Sequence, residues 1–330
     1  MEGFFSVFTV ELLNSGIRLA TPILLAALGG AICNQAGVLN LALESKMLLG
    51  AFVGILAAFY IGNSYAGLLV AMAAGGLLGL LFAFLYHKYK VDLVILAIAF
   101  NLIIVELTVF VMRAMFGNVG SWSDPSIVRI PDIEIPLIKD IPIIGPVLSG
   151  YNLIVYFSWL ATIVMFVVLY KMRSGRHLRA VGENKSAAET VGINAILLQT
   201  LALVISGALA GLGGAFLSIG HLKLFTRNMS NGRGWIAIAA AMFGVNHPIG
   251  VFFASLFFGF ADAFSVRIQN VTDLPPNLVK LLPNVATILV LVIIALRGKI
   301  ALSMARRRFR SQLKAEEAGV SEAAKPLARS

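Results

Sequence analysis

Residues 92–115 read DLVILAIAFNLIIVELTVFVMRAM, and this stretch decides the fold class. It is longer than the roughly 20 mostly apolar residues that a helix needs to cross a bilayer. Its apolar residues do not alternate with polar ones, which excludes a strand of a transmembrane barrel. The sequence therefore predicts an all-α polytopic transmembrane bundle. The other apolar runs occupy 9–33, 46–62, 66–86, 152–170, 197–220, 249–268 and 280–296, and a shorter one occupies 234–246.

The composition excludes a soluble chain. Of the 330 residues, 59% are hydrophobic and 13% are charged, whereas soluble domains are about 45–50% apolar and about 25% charged. A cytosolic enzyme, a nucleic-acid-binding domain and a disordered protein are therefore excluded. The net charge of +10 then marks one face of a membrane protein, and we expect no nucleic-acid partner.

The distribution of Lys and Arg predicts the orientation. Segments 87–90, 171–196 and 297–330 are basic, while 116–151 is acidic on balance. Because short cytoplasmic loops carry the excess of Lys and Arg, the basic segments are placed on the cytoplasmic side of the plasma membrane and 116–151 on the external side. We expect residues 1–300 to form the transmembrane domain, and 301–330 to form a basic, disordered cytoplasmic tail suited to anionic lipid headgroups.

The runs give eight to ten spans. Three long runs separate Arg179 from Arg297, although an even number of crossings is needed to keep both inside. We therefore expect 234–246 to cross as a short helix or to belong to a re-entrant region, which is tolerated where protein or a water-filled cavity covers its ends. In the first run, Pro22 and a break at 33–37 leave two alternatives: nine spans with the N-terminus outside, or ten with it inside.

Several polar residues lie at membrane depth. Asn101 and Glu106 fall within one run, Asp262 within another, and Asn40 and Glu44 at a helix boundary. Such residues usually face a partner or a cavity because a buried charge is costly in lipid. They line a polar translocation path, or they are hydrogen-bonded between packed helices. Two glycine-rich stripes, 75–79 and 207–214, predict close helix packing.

The basic segment 178–196 contains a short predicted helix. Asn184 is a suitable N-cap, Ala187 and Ala188 favour helix, and Gly192 would end it. A short exposed helix with small residues can seat in a groove of a partner protein.

No motif in the chain predicts catalysis. The sequence lacks a Gly-x-x-x-x-Gly-Lys-Ser/Thr phosphate loop, its four histidines are scattered, and its single cysteine, Cys33, excludes an internal disulfide and a cysteine-based metal cluster. We expect no catalytic residues, no metal site and no cofactor on this chain.

Five segments closely resemble the permeases of ABC importers for branched-chain amino acids, simple sugars and nucleosides, and they are most similar to the nucleoside (guanosine-type) branch. Ala42 and Ser45 depart from that branch, which usually has glycine there, so sugars and branched-chain amino acids remain alternative substrates. The matching segments are 36–44, 182–193, 206–215, 232–239 and 256–263.

The resemblance implies an assembly. It predicts a second permease subunit, identical or related, two ATPase subunits that bind ATP on the cytoplasmic face, and an extracellular substrate-binding lipoprotein. Segment 178–196 would be the coupling helix that contacts the ATPase. Its coupling residues would be Gly182, Glu183, Asn184, Ala187, Ala188 and Gly192.

We expect the substrate path at the broken segments, near Asn40, Glu44, Asn101, Gly232 and Gly234, because discontinuous helices expose backbone groups to a hydrated passage. One alternative class is an ion-coupled secondary transporter with Glu106 and Asp262 as proton carriers. Another is an intramembrane enzyme, for which the sequence offers no catalytic constellation.

Overall fold

A computed structural model describes residues 10–117, 120–134 and 149–271, and it is a helical bundle. The predicted run 280–296 and the tail 301–330 lie outside these residues. The helices are α1 (Val10–Gln35), α2 (Leu43–Ile61), α3 (Ser64–Tyr89), α4 (Leu93–Phe116), α5 (Leu153–Lys171), α6 (Arg173–Glu183), α7 (Lys185–Thr190), α8 (Ala195–Ala215), α9 (Arg233–Phe243) and α10 (Pro248–Val271). A π-helical stretch, Phe216–Leu222, continues α8.

Seven of these helices are long and apolar enough to cross a membrane: α1 to α5, α8 with its continuation, and α10. The polytopic all-α prediction is therefore confirmed. Helix α1 is continuous through Pro22, and only residues 36–42 separate it from α2, so no second crossing fits between residues 10 and 43. Of the two alternatives for the first run, the single crossing is the one found.

The glycine stripes pack against each other at the centre of the bundle. Helix α3 lies against α8 so closely that a methyl group added at Gly75 would overlap the carbonyl of Gly207, and the reverse also holds. Gly79 meets Leu203 in the same way, and Gly50 of α2 meets Gly211. The predicted close packing is confirmed, and it places the three helices in backbone contact.

Loop contacts define the two ends of the bundle. At one end, β1 (Ser121–Trp122) pairs with β4 (Phe225–Thr226), and β2 (Asp132–Ile133) pairs with β3 (Tyr151–Asn152). The acidic segment 116–151 thus forms short extended pieces within its described part. The opposite end holds α6 and α7, the end of α1 and the turn between α9 and α10. Within the described residues, the basic segments 87–90 and 171–196 therefore lie at one end and the described part of 116–151 at the other.

Helix α9 covers only part of the bundle's depth. Its 11 residues extend about 17 Å at 1.5 Å per residue, roughly half of the ~30 Å hydrocarbon layer. The preceding segment, 223–232, starts beside β1 and leads inward, since Phe225 and Ser230 are fully buried. The crossing expected at 234–246 is therefore made by this non-helical segment and a half-helix together.

Candidate functional site

Glu44 holds the start of the half-helix. It lies in the first turn of α2 and is buried, and its carboxylate accepts hydrogen bonds from the Ser230 hydroxyl (2.6 Å), the Gly232 amide (2.8 Å) and the Gly234 amide (2.7 Å). An anion at a helix N-terminus is stabilised by the helix dipole and by the free amides there. The Glu44 carboxylate therefore links the start of α2 to the start of α9.

Asn40 organises the break between α1 and α2. Its Oδ1 accepts from the Ala42 amide (3.2 Å) and from Lys46 Nζ (2.9 Å), and its Nδ2 donates to Ser206 Oγ (2.8 Å). Ser206 belongs to α8. The asparagine thus fastens the non-helical segment 36–42 to α8 and to the first turns of α2.

Lys46 is a site residue that the sequence analysis missed. It is fully buried, and its ammonium group lies 4.8 Å from the centroid of the Phe82 ring as well as against Asn40. It is the first residue of the predicted run 46–62, where a lysine resembles the ordinary edge of a span. The available signal was a second ionisable residue two positions after Glu44, in an otherwise apolar stretch.

Asn101 of α4 completes the cluster. Its Nδ2 donates to the Leu41 carbonyl (3.2 Å), and its Oδ1 accepts from the Ser45 amide (3.0 Å). The structure thus brings together the residues predicted for the substrate path: Asn40, Glu44, Asn101, Gly232 and Gly234. Their polar groups bond to backbone and to neighbouring side chains, so the cluster fastens the broken helices to one another. A substrate role for these residues stays a prediction.

The two other intramembrane carboxylates form ion pairs. Asp262 lies 3.2 Å from Arg233 at the start of α9, and Glu106 lies 3.1 Å from Arg227. For Asp262, partly buried between α9 and α10, the structure agrees with a hydrogen-bonded residue between helices. Glu106 pairs at an exposed position. Each carboxylate named as a possible proton carrier therefore has an arginine as a direct partner.

The predicted coupling segment is a pair of helices. Asn184 caps α7 by accepting the Ala187 amide (3.0 Å), and Gly192 follows the helix end with φ of 84°, as predicted. Helix α6 was not predicted. Gly182, near its end, lies so close to the break after α1 that an added methyl group would overlap the Gln35 carbonyl and approach the Gly37 amide.

The small residues of α7 do not share one exposed face. Ala188 is 4% exposed and packs with Val181 and Ala195, so it contributes to packing within the chain, and its coupling role stays a prediction. A small apolar residue suits internal packing as well as an interface, and sequence alone does not separate the two. Ala187 is exposed, and Val191 is 74% exposed. The accessible surface therefore lies at these residues.

At the opposite end, Tyr151 ties the described part of the acidic segment to α1. Burial raises the pKa of its phenol to about 12, so the hydroxyl stays protonated and donates to Asn14 Oδ1 (2.8 Å). Arg18 adds a hydrogen bond to the Gly150 carbonyl (3.2 Å). Residues 149–152 are therefore packed into this end of the bundle and held to α1, while residues 135–148 lie outside the described part.

Comparison with known proteins gives a consistent picture. The family model described as branched-chain amino acid transport system / permease component matches residues 12–294. The chain is 34% identical over 284 residues to the guanosine ABC transporter permease protein NupQ of Bacillus subtilis (strain 168), covering 82% of this chain and 88% of the relative. It is 34% identical to a putative glucose ABC transporter permease protein of Haloferax volcanii, covering 82% of each. It is 28% identical to the nucleoside ABC transporter permease protein NupC of Lactococcus lactis, covering 83% and 89%.

Proposed function

The chain belongs to the family described as branched-chain amino acid transport system / permease component, and from this premise we propose that it carries a nucleoside across the plasma membrane as a transmembrane subunit of an ABC importer. Two of the relatives are described as guanosine and nucleoside permeases. The family places the chain in the membrane as a multi-pass permease, which agrees with the seven long apolar helices found among the described residues.

The substrate class is inferred from the start of α9, whose backbone amides already have a hydrogen-bond partner within the chain. In transporters, the N-terminus of a broken helix often binds an anionic group of the substrate. Here Glu44 already takes the Gly232 and Gly234 amides, so this end is not free for the carboxylate of an amino acid. The side-chain amides of Asn40 and Asn101 are bonded within the protein here; once released from these partners, they suit a neutral solute with hydroxyl groups. A nucleoside meets these conditions, and a simple sugar is the second candidate because of the Haloferax relative.

The partners follow from the same proposal. A separate ATPase binds ATP and contacts α6 and α7, so this chain binds no cofactor itself. A second permease subunit completes the passage. A substrate-binding lipoprotein delivers the solute to the end formed by 116–151, and the basic tail 301–330 contacts anionic lipid. The coupling roles of Gly182, Glu183, Asn184, Ala187, Ala188 and Gly192 belong to this proposal.

The test is uptake by the complete complex in proteoliposomes. ATP-dependent accumulation of radiolabelled guanosine, reduced by unlabelled nucleosides and not by glucose or leucine, supports the proposal. Accumulation of glucose alone would instead establish the sugar alternative. A protonophore should leave uptake unchanged, whereas uptake that follows the proton gradient without ATP would show that the chain works as a secondary transporter.

A further inference from the structure

A polar cavity of about 480 Å³ lies at the end of the bundle that holds the coupling helices. Its volume is within the range of small-molecule sites, roughly 300–1,000 Å³. It separates α6 from the turn between α9 and α10, at the far end of the half-helix from Glu44. The residues that line it and matter here are Asn34, Gln35, Tyr170, Arg179, Glu183 and Asn246.

Two side chains of this cavity have unused hydrogen-bonding capacity. Gln35 donates through Nε2 to the Asn246 carbonyl (2.6 Å) and to the Tyr170 hydroxyl (3.2 Å), but its buried Oε1 has no partner within the described residues. Arg179 stacks 4.6 Å above the Tyr170 ring, and its buried Nε is likewise without a partner there. Buried polar atoms are usually paired, so each exception calls for an explanation.

The turn that closes the cavity has an unusual backbone. Val245 and Asn246 adopt φ of 53° and 54°, a left-handed conformation that is rare for a β-branched residue. Asn246 is held there by Gln35 and by a 2.8 Å hydrogen bond from Asn34. Val245 itself is 80% exposed. Such strain persists where neighbouring groups impose it, and it clusters at functional sites.

We propose that this cavity is a binding site for the nucleoside at the cytoplasmic end of its path. A planar base extends the stack on the Arg179 guanidinium, a surface on which bases commonly stack. The carboxamides of Asn34 and Asn246, which line the cavity and are only partly buried, offer donors and acceptors to the base edge and the ribose hydroxyls. Arg179 and Glu183 balance each other in charge, which suits a neutral solute.

This site rests on the proposed function, and a labelling experiment separates the two. In the complete complex in nanodiscs, Val245→Cys provides a reporter at the cavity, while Cys33 is fully buried and stays unmodified. Guanosine at millimolar concentration should slow maleimide labelling of the reporter at least threefold because the bound solute shields the turn. Glucose should have no effect.

Arg179→Lys and Arg176→Lys make a matched pair. The first keeps the charge but removes the planar stacking surface, so protection by guanosine should disappear. The second changes an exposed arginine of α6 outside the cavity, and protection should persist. The same complex is assayed for guanosine uptake in proteoliposomes. Unchanged labelling in a complex that imports guanosine there, or equal protection in both variants, would overturn the site and leave the proposed function standing. A complex that shows protection but imports no guanosine would support the site and contradict the proposed function.

Discussion

The carboxylate of Glu44 accepts the backbone amide of Gly234 at 2.7 Å, across 190 positions of sequence. The carboxylate accepts three hydrogen bonds at once, so Glu44→Ala should leave three donors inside the bundle without a partner. Hydrogen bonds to a buried charge contribute about 1.5–3 kcal/mol each, and we expect a loss of several kcal/mol in the free energy of unfolding. Thermal unfolding of the purified permease in detergent measures the change.

Glu106→Ala is the matched control for that experiment. Glu106 pairs with Arg227 through exposed side chains, and such pairs are worth about 0–1 kcal/mol. Its melting temperature should stay near that of the parent protein. Equal losses in the two variants would show that the position of Glu44 at the helix start has no special weight.

Adjacent glycines of α3 should respond differently to alanine. A methyl group at Gly75 overlaps the Gly207 carbonyl, whereas at Gly76 the nearest atom, of Val204, is 3.7 Å away. Gly75→Ala should therefore destabilise the permease by about 1–3 kcal/mol through overpacking. Gly76→Ala should be neutral or stabilising by up to about 1 kcal/mol, since alanine favours helix. Thermal unfolding of both variants tests this, and the reverse order would contradict the packing of α3 on α8.

The spans were predictable because the length of a continuous apolar stretch can be read directly from the sequence and compared with the thickness of the bilayer. The partners of polar residues were not, because a hydrogen bond such as that from the Gly234 amide to the Glu44 carboxylate joins distant positions that no local pattern connects. The resemblance placed Gly232 and Gly234 beside the broken helices, but it did not indicate that Glu44 caps them. Lys46 was missed for the same reason, since only its contacts with Asn40 and Phe82 separate it from an ordinary span edge.

The orientation is testable with single cysteines. Ser123 and Ser174 are both exposed and lie at opposite ends of the bundle, and the charge rule places Ser123 outside. In intact cells, a membrane-impermeant maleimide should modify Ser123→Cys and spare Ser174→Cys. Both should react after the cells are opened. The opposite pattern in intact cells would reverse the topology.

The substrate path is tested by two asparagines. Asn40→Ala and Asn101→Ala remove amides from the cluster, so uptake should fall severalfold in permease that is still inserted. Asn63→Ala is the control, because Asn63 only caps α3 by accepting the Tyr65 amide, and losing a cap costs about 1 kcal/mol. Normal transport kinetics in both cluster variants would place the path elsewhere.

Substitutions in the coupling helices α6 and α7 should distinguish binding of the ATPase from transmission of its movement to the spans. Ala187 is exposed, so Ala187→Trp should block seating of α7 on the ATPase and reduce both co-purification and uptake. Gly182 instead contacts Gln35 and Gly37 within the chain. Gly182→Ala should leave the ATPase bound but lower uptake, because the contact that links α6 to the break after α1 is altered.

The two substitutions should differ because ATP binding can drive the permease only through a contact that changes between its two conformations. The Gly182 contact leads directly to segment 36–42, whose Asn40 is bonded to α8, so movement of α6 has a physical route to the broken helices. Ser123→Trp, at an equally exposed position of the opposite end, should leave co-purification intact. If Ala187→Trp retains the ATPase and full uptake, the ATPase docks elsewhere; if Gly182→Ala transports normally, the force reaches the broken helices by another contact.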